Sequence, residues 1–415
     1  MRWIRPCEVE GTLSAPASKS LMIRATAAAL LCKGETRIIN PSFCDDSLAG
    51  LNIVEALGAQ VEREDHEIKI KGGIDIKKTA LNCNESGLCM RMFTPIAALQ
   101  NKLITVSGTG SLMTRPMGMM ETPLNQLGAY CRTNRGYPPI RVKGPIKGGK
   151  IVIDASLSSQ FLTGLLTVLP ICKPDSELVV NNLKSKPYVA MTLSLLDHFN
   201  ISISYEKDFE RFHIKSNQSF QNTTYAVEGD WSSASFLLVA GAISGKVKVR
   251  NLRTDSLQAD KQILEVLEST GSKISILNDT VVVERDQLES FEFDATECPD
   301  LFPPLVVLAC YCSGQSLIKG VERLRHKESD RAQALITEFT KVGAKINIDG
   351  NLMEIEGTQL KGGIIDSHND HRVAMAGAIA ALSSEKGIGI QGWQSVLKSY
   401  PDFFEDLKSI GGEVE

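Results

Sequence analysis

The chain has 415 residues, 43% of them apolar, enough to bury a sizeable core and more than one core usually supports, so two domains are expected. A formal net charge of −4 and an ordinary composition leave no general basic field, which argues against nucleic acid or an anionic membrane as the main partner. No segment approaches the ~18 uninterrupted apolar residues that span a bilayer, residues 1–13 hold no signal-like stretch, and ten cysteines are scattered without CxxC or zinc-ligand spacing; a soluble, cytoplasmic, monomeric protein with reduced thiols and no metal is the expectation.

From the N-terminus, residues 2–10 (RWIRPCEVE) read as a strand with nothing before it to pair with. Six apolar runs then follow at intervals, each able to form a buried helix and each succeeded by a strand pattern. They are LMIRATAAALL then TRIIN, LCMRMFTPIAAL then LITVSG, FLTGLLTVLPI then ELVVNN, SASFLLVAGAI then KVKVRN, LFPPLVVLACYC then SLIKGV, and VAMAGAIAAL then GIGIQG.

Between these runs a second signature recurs: an amphipathic helix end, a Gly or Asn, and an alternating strand. The copies are ALGAQVE, QLGAYCR, HFNISIS, STGSKIS, KVGAKIN and SIGGEVE, pivoting on Gly58, Gly128, Asn200, Gly271, Gly343 and Gly411 at spacings of 70, 72, 71, 72 and 68 residues. A left-handed helix C-terminus accounts for Gly or Asn at each pivot. Five copies continue into a second strand (HEIKIKG, PPIRVKG, ERFHIKS, TVVVERD, NLMEIEG), whereas the sixth stops at Glu415. The N-terminal strand is therefore expected to complete the sixth unit. Six βαβαββ-like repeats split three and three, with residues 15–228 forming one lobe and residues 1–14 with 229–415 the other, joined by a two-strand hinge.

Polar residues collect at the starts of the six buried helices: Ser18, Lys19 and Ser20; Glu85, Ser86 and Gly87; Ser158, Ser159 and Gln160; Asp230 to Ser233; Cys298 to Asp300; and Asn369 to Arg372. Helix capping accounts for the Ser, Asp and Asn. It does not account for Lys19 and Arg372, since a cation there opposes the helix dipole by ~0.3–1 kcal/mol. Free amides, a dipole end and a fixed cation together describe an anion site. Arg24 follows Ser20 by four and Arg91 follows Gly87 by four, so each shares a face with its helix start. Lys327 and Arg331, also four apart, read as one helix face whose like charges need a shared anion. Arg115 and Lys398 sit on loops, where binding residues often lie.

PASKSLMIRA, GLCMR, RPMG, SSQFLT, SKPY, VEGDWSSAS, KESDR, NDHRVAM and YPDFF stand in an order and spacing that resembles the 5-enolpyruvylshikimate-3-phosphate synthase family along nearly the whole chain. The resemblance implies an inside-out α/β barrel (enolpyruvyl transferase fold), six units in two lobes, closing over shikimate 3-phosphate and phosphoenolpyruvate with no cofactor. It implies that Lys19, Ser20 and Arg24 form a basic strip touching both substrates, and that Ser158, Ser159, Ser185, Tyr188, Arg323 and Lys327 meet shikimate 3-phosphate. Gly87, Arg91, Arg115, Gln160, Arg331, Arg372 and Lys398 resemble the phosphoenolpyruvate clamp. Asp300 resembles the acceptor of the hydroxyl proton, and Glu328 or Lys19 the group that handles the methylene proton.

Three positions depart from the family pattern. Glu85-Ser86-Gly87-Leu88 stands for the usual Asn-Ala-Gly-Thr, Ser111 for a frequent Arg, and Arg323 for a frequent Asn; these bear on affinity and glyphosate response. The nearest alternative, a UDP-N-acetylglucosamine enolpyruvyl transferase, would carry SKN at 18–20 and a cysteine before Arg115, and residues 108–114 contain none. More distant alternatives are a non-catalytic phospho-ligand-binding relative and a protein like RNA 3′-phosphate cyclase, the latter opposed by the acidic balance.

Overall fold

Strand, buried helix, parallel strand and antiparallel hairpin follow one another repeatedly in the computed structural model, which describes residues 1–415. Ala80–Asn82 and Ile104–Ser107 run parallel, linked through the helix Gly87–Ala97, and Ile104–Ser107 pairs antiparallel with Tyr137–Lys143, which takes Tyr130–Asn134 on its other edge. The same order builds the sheets led by Lys150–Asp154 and by Glu292–Asp294. In two further sheets the leading strand comes from a distant part of the chain. Thr224–Ala226 lies parallel to Glu35–Ile39, and Val9–Ser14 lies parallel to Gly245–Arg250.

The remaining sheet pairs Gly363–Asp366 with Ile388–Gln391 in parallel and Ile388–Gln391 with Arg2–Ile4 antiparallel, and Ile4 bridges Val414. The N-terminal strand is thus divided rather than continuous over residues 2–10. Pro6 has no amide hydrogen to give a ladder, and after it the chain moves to another sheet as Val9–Ser14. A second difference lies at HFNISIS, where only Ser204–Tyr205 is strand. There the Ser202 amide donates to the Gln218 side chain (2.8 Å), whose amide donates back to the Ser202 carbonyl (2.9 Å), replacing the ladder locally.

The chain divides into two compact units, Ala17–Val227 and Met1–Pro16 with Glu228–Glu415. In each unit the apolar helices are interior and the sheets expose one alternating face. Every residue of Gly87–Ala97, Trp231–Ser244, Phe302–Cys310 and His371–Ala381 is buried, as a helix apolar on all sides requires. Trp231–Ser244, Phe302–Cys310 and His371–Ala381 pack on one another. In the other unit Gly87–Ala97 and Gln160–Val168 approach so closely that a Cβ on Gly164 would stand 2.7 Å from Pro95 Cγ and 2.9 Å from the Arg91 and Met92 carbonyl oxygens. No helix is long and apolar enough to cross a membrane.

Candidate active site

In the unit Ala17–Val227 the helices Lys19–Leu31, Gly87–Ala97 and Gln160–Val168 each have a serine at the cap position: Ser18, Ser86 and Ser159. Ser86 caps Gly87–Ala97 by accepting from the Cys89 amide (3.4 Å), whereas Ser18 and Ser159 make no side-chain cap bond at their helix starts. A Cβ on Gly87 would lie 2.9 Å from Arg115 Nη1, 3.0 Å from Arg91 Nη1 and 3.6 Å from Gln160 Oε1, so three expected residues surround this helix start. Arg91 donates to Gln160 Oε1 (2.7 Å), and the Gln160 amide donates to the Ser158 hydroxyl (3.2 Å). Ser159 is the buried residue between them.

Lys19, first residue of its helix, pairs with Asp46 at 3.0 Å. Asp46 in turn accepts the Cys89 thiol at its carbonyl (3.5 Å), which ties this pair to the Gly87 helix. Arg24 is 1% exposed; its Nε donates to Thr192 Oγ1 (2.9 Å) and its Nη1 to the Ser20 carbonyl (2.8 Å). Burial pulls its pKa down to about 10, against the opposing influence of Tyr188 and Tyr225, so it stays charged at neutral pH. Ser185, at φ 58, starts the helix that carries Tyr188 and Thr192; a non-glycine residue held left-handed is a backbone feature often met at functional positions.

In the other unit, Asp300 lies in a single 3-10 turn ahead of Phe302–Cys310 and gathers the cations. Arg331 Nη1 donates to it at 2.8 Å, Arg372 Nη2 at 3.1 Å and Lys327 at 3.2 Å. Burial works to raise the Asp300 pKa, but the charges of Arg372, Lys327 and Arg331 outweigh it and hold the carboxyl well below the usual carboxylate range. Arg331 also bonds Glu328 (2.5 Å) and Asp370 (2.9 and 3.2 Å), and although burial opposes it, these carboxylates raise its pKa. Burial lowers the Lys327 pKa despite Asp300, and lowers that of Arg323 despite Glu297, Glu322 and Asp300. Asp370 caps His371–Ala381 by accepting from the Arg372 amide, Arg372 Nη1 donates to Ser232 Oγ, and Lys398 donates to the Asn369 carbonyl (2.5 Å).

One sequence inference is overturned. The helix begins at Arg331 with Asp330 as its cap, so Lys327 lies before it and the two cations do not share a helix face. Arg331 is wholly buried, and both cations converge on the carboxylate of Asp300. Asp46 and Thr192 carry no signal in the sequence, because their partners come from other elements. Ser232 and Asp370 stand among the polar helix starts and are expected there only as caps; their bonds to Arg372 and Arg331 are the part that sequence reasoning misses. Two hollows of about 710 and 740 Å³, the first lined by Ser244, Tyr311 and Ser384 and the second by Pro123, Val152 and Val179, include none of the expected site residues.

The sequence profile of EPSP synthase (3-phosphoshikimate 1-carboxyvinyltransferase) matches residues 5–407. The chain is 36% identical over 426 residues to the 3-phosphoshikimate 1-carboxyvinyltransferase of Clostridium novyi (strain NT), covering 99% of this chain and 98% of the relative. It is 37% identical over 420 residues to the protein of the same name from Clostridium acetobutylicum, covering 99% and 97%. Among solved structures, EPSP synthase from Acinetobacter baumannii matches with a TM-score of 0.84 at 24% identity, over 100% of this chain and 99% of that one. The enolpyruvyl transferase NikO from Streptomyces tendae matches at 0.80 and 15%, over 100% and 98%. The fold is that of the enolpyruvyl transferases, as the inside-out α/β barrel expectation required.

Proposed function

The chain belongs to the EPSP synthase (3-phosphoshikimate 1-carboxyvinyltransferase) family, and from that premise we propose that it transfers the enolpyruvyl group of phosphoenolpyruvate to the 5-hydroxyl of shikimate 3-phosphate, releasing phosphate. The observation that carries this reading is the Asp300 carboxylate bonded to Arg331, Arg372 and Lys327. An ionised acid held among cations is what the addition needs: a proton acceptor beside groups that bind a phosphorylated carboxylic acid.

In the addition step the 5-hydroxyl oxygen attacks the central carbon of phosphoenolpyruvate, Asp300 takes the hydroxyl proton, and Glu328 or Lys19 delivers a proton to the methylene carbon, which becomes methyl. In the elimination step the bond from that central carbon to the phosphate oxygen breaks and phosphate leaves, while the Glu328 or Lys19 that delivered the proton takes one back from the methyl group, whose C–H electron pair restores the double bond. Arg91, Arg115, Gln160, Arg331, Arg372 and Lys398 hold phosphoenolpyruvate in this scheme. Ser158, Ser159, Ser185, Tyr188, Arg323 and Lys327 hold shikimate 3-phosphate, and Lys19, Ser20 and Arg24 serve both.

The competition for cations supplies the timing. While Arg331, Arg372 and Lys327 are spent on Asp300, it is ionised but a weak base. A substrate anion that draws their hydrogen bonds away raises the Asp300 pKa toward that of an effective acceptor. The test is phosphate release from phosphoenolpyruvate with and without the acceptor. Release that depends on shikimate 3-phosphate is expected; release with UDP-N-acetylglucosamine in its place would overturn the assignment.

A further inference from the structure

We propose that Glu85 is a positioning residue: its grip on Ser111 sets the short arm that carries Arg115 to the start of the Gly87–Ala97 helix and so governs how tightly phosphoenolpyruvate is held. The inference rests on the function proposed above. Glu85 Oε2 accepts from the Ser111 backbone amide (3.0 Å) and from the Ser111 hydroxyl (2.9 Å). The Thr109 amide donates to the Asn84 carbonyl (2.7 Å), a second tie between the same two segments.

Gly110 lets the arm lie under the carboxylate. Its φ is 53°, and a Cβ there would stand 2.5 to 2.7 Å from the Glu85 carboxyl atoms, so both backbone conformation and space require glycine. The chain then makes one 3-10 turn, Gly110–Thr114, with Leu112 fully buried and the Arg115 amide closing on the Leu112 carbonyl (3.1 Å). The path from the grip to Arg115 is therefore short and pinned along its length.

What the arm must resist is repulsion. Arg115 and Arg91 both bring Nη1 within about 3 Å of the same point beside Gly87, and two guanidinium groups so placed push apart. An anchored arm keeps them converged for an anion. The resembling family often has Asn and Arg where this chain has Glu85 and Ser111, and these two departures touch each other. The chain thus meets an altered partner with an altered partner.

Removing Glu85 has two opposed effects, since its charge near the arginines disfavours an anion while its grip favours one. Ser111→Ala weakens the grip and keeps the charge; Glu85→Gln keeps an acceptor oxygen and removes the charge. In steady-state kinetics, Ser111→Ala and Glu85→Ala are expected to raise KM for phosphoenolpyruvate roughly 5- to 10-fold, the scale of one ordinary hydrogen bond, with kcat and the KM for shikimate 3-phosphate within about twofold of the parent. Glu85→Gln is expected to restore KM to the parent value or below. Amide hydrogen exchange across residues 108–115, measured without substrate, should speed up about tenfold or more in both alanine variants. Unchanged exchange, or faster exchange with an unchanged KM, overturns the proposal. Should the parent chain itself turn over no substrate, the function proposed above fails; faster exchange in the variants would still support the grip and unchanged exchange would still refute it.

Discussion

Asp300 meets two opposed demands, because the cations that keep it ionised in a half-buried setting also weaken it as a base. The amide of Asp300→Asn cannot take the proton and offers the cations only a neutral oxygen. Turnover is expected to fall by ~10²-fold or more, the usual scale for a general acid–base group, while phosphoenolpyruvate binds as tightly as before or more so, since Arg331 and Arg372 no longer divide their hydrogen bonds with a carboxylate. Steady-state rates with calorimetric titration check both halves, and undiminished turnover would remove Asp300 from its role. Asp300 and Arg372 were legible as candidates because each sits at or beside a buried-helix start, and Arg331 only through its spacing from Lys327, although 31 and 72 residues separate Asp300 from the two arginines. Thr192, 168 residues from Arg24, was not legible. Its hydroxyl also accompanies Thr163 and the Tyr188 carbonyl, and only the packing of three helices makes it an arginine partner. Lys327 shows the reverse error: the spacing to Arg331 was real, but the Asp330 cap starts the helix too late for periodicity to apply.

At the scale of elements, the pivots were the strongest local signal because they report backbone rather than packing. All six have positive φ, from 62° at Asn200 to 124° at Gly58, a conformation that most residues adopt only at a cost. What a strand does after its pivot was less legible. At HFNISIS the alternation is present, yet Gln218 takes the Ser202 backbone groups and shortens the strand, an event no periodicity encodes. Close helix approach is likewise hidden in sequence, where Gly164 looks like a weak point in an apolar helix. The structure gives it a purpose, since the Arg91 carbonyl, which Pro95 cannot bond, lies against it. Gly164→Ala has better helix propensity by about 1 kcal/mol, but its methyl meets backbone oxygens that cannot turn aside. Overpacking of this kind costs ~1–3 kcal/mol, so a net loss is expected, read as a lower thermal or urea midpoint. A midpoint raised by the substitution would mean that the two helices separate freely.

At the scale of the whole molecule, sequence reading went furthest where a repeat was incomplete, because a missing strand has to be supplied from somewhere. The unit Met1–Pro16 with Glu228–Glu415 draws on the N-terminus twice: Arg2–Ile4 completes the sheet of Ile388–Gln391, and Val9–Ser14 leads the sheet of Gly245–Arg250. Sequence reading merged the two because RWIRPCEVE is continuously strand-like, and Pro6 was the cue that the ladder must break. Trp3 and Glu415 exchange backbone hydrogen bonds (3.1 and 2.8 Å), and Ile4 is wholly buried between Ile388 and Val414. Removing residues 1–6 would strip one edge of Ile388–Gln391 and unpair Val414, while Val9–Ser14 keeps its own partners. The expected result is a lower unfolding midpoint together with greater association on size-exclusion chromatography, since an uncovered strand edge recruits other chains. Ile4→Ala separates burial from pairing: it keeps every backbone bond of the strand and loses only side-chain packing, for ~2–5 kcal/mol. If the truncated chain lost no more stability than Ile4→Ala and stayed unassociated, the strand's backbone pairing would contribute nothing to the sixth repeat.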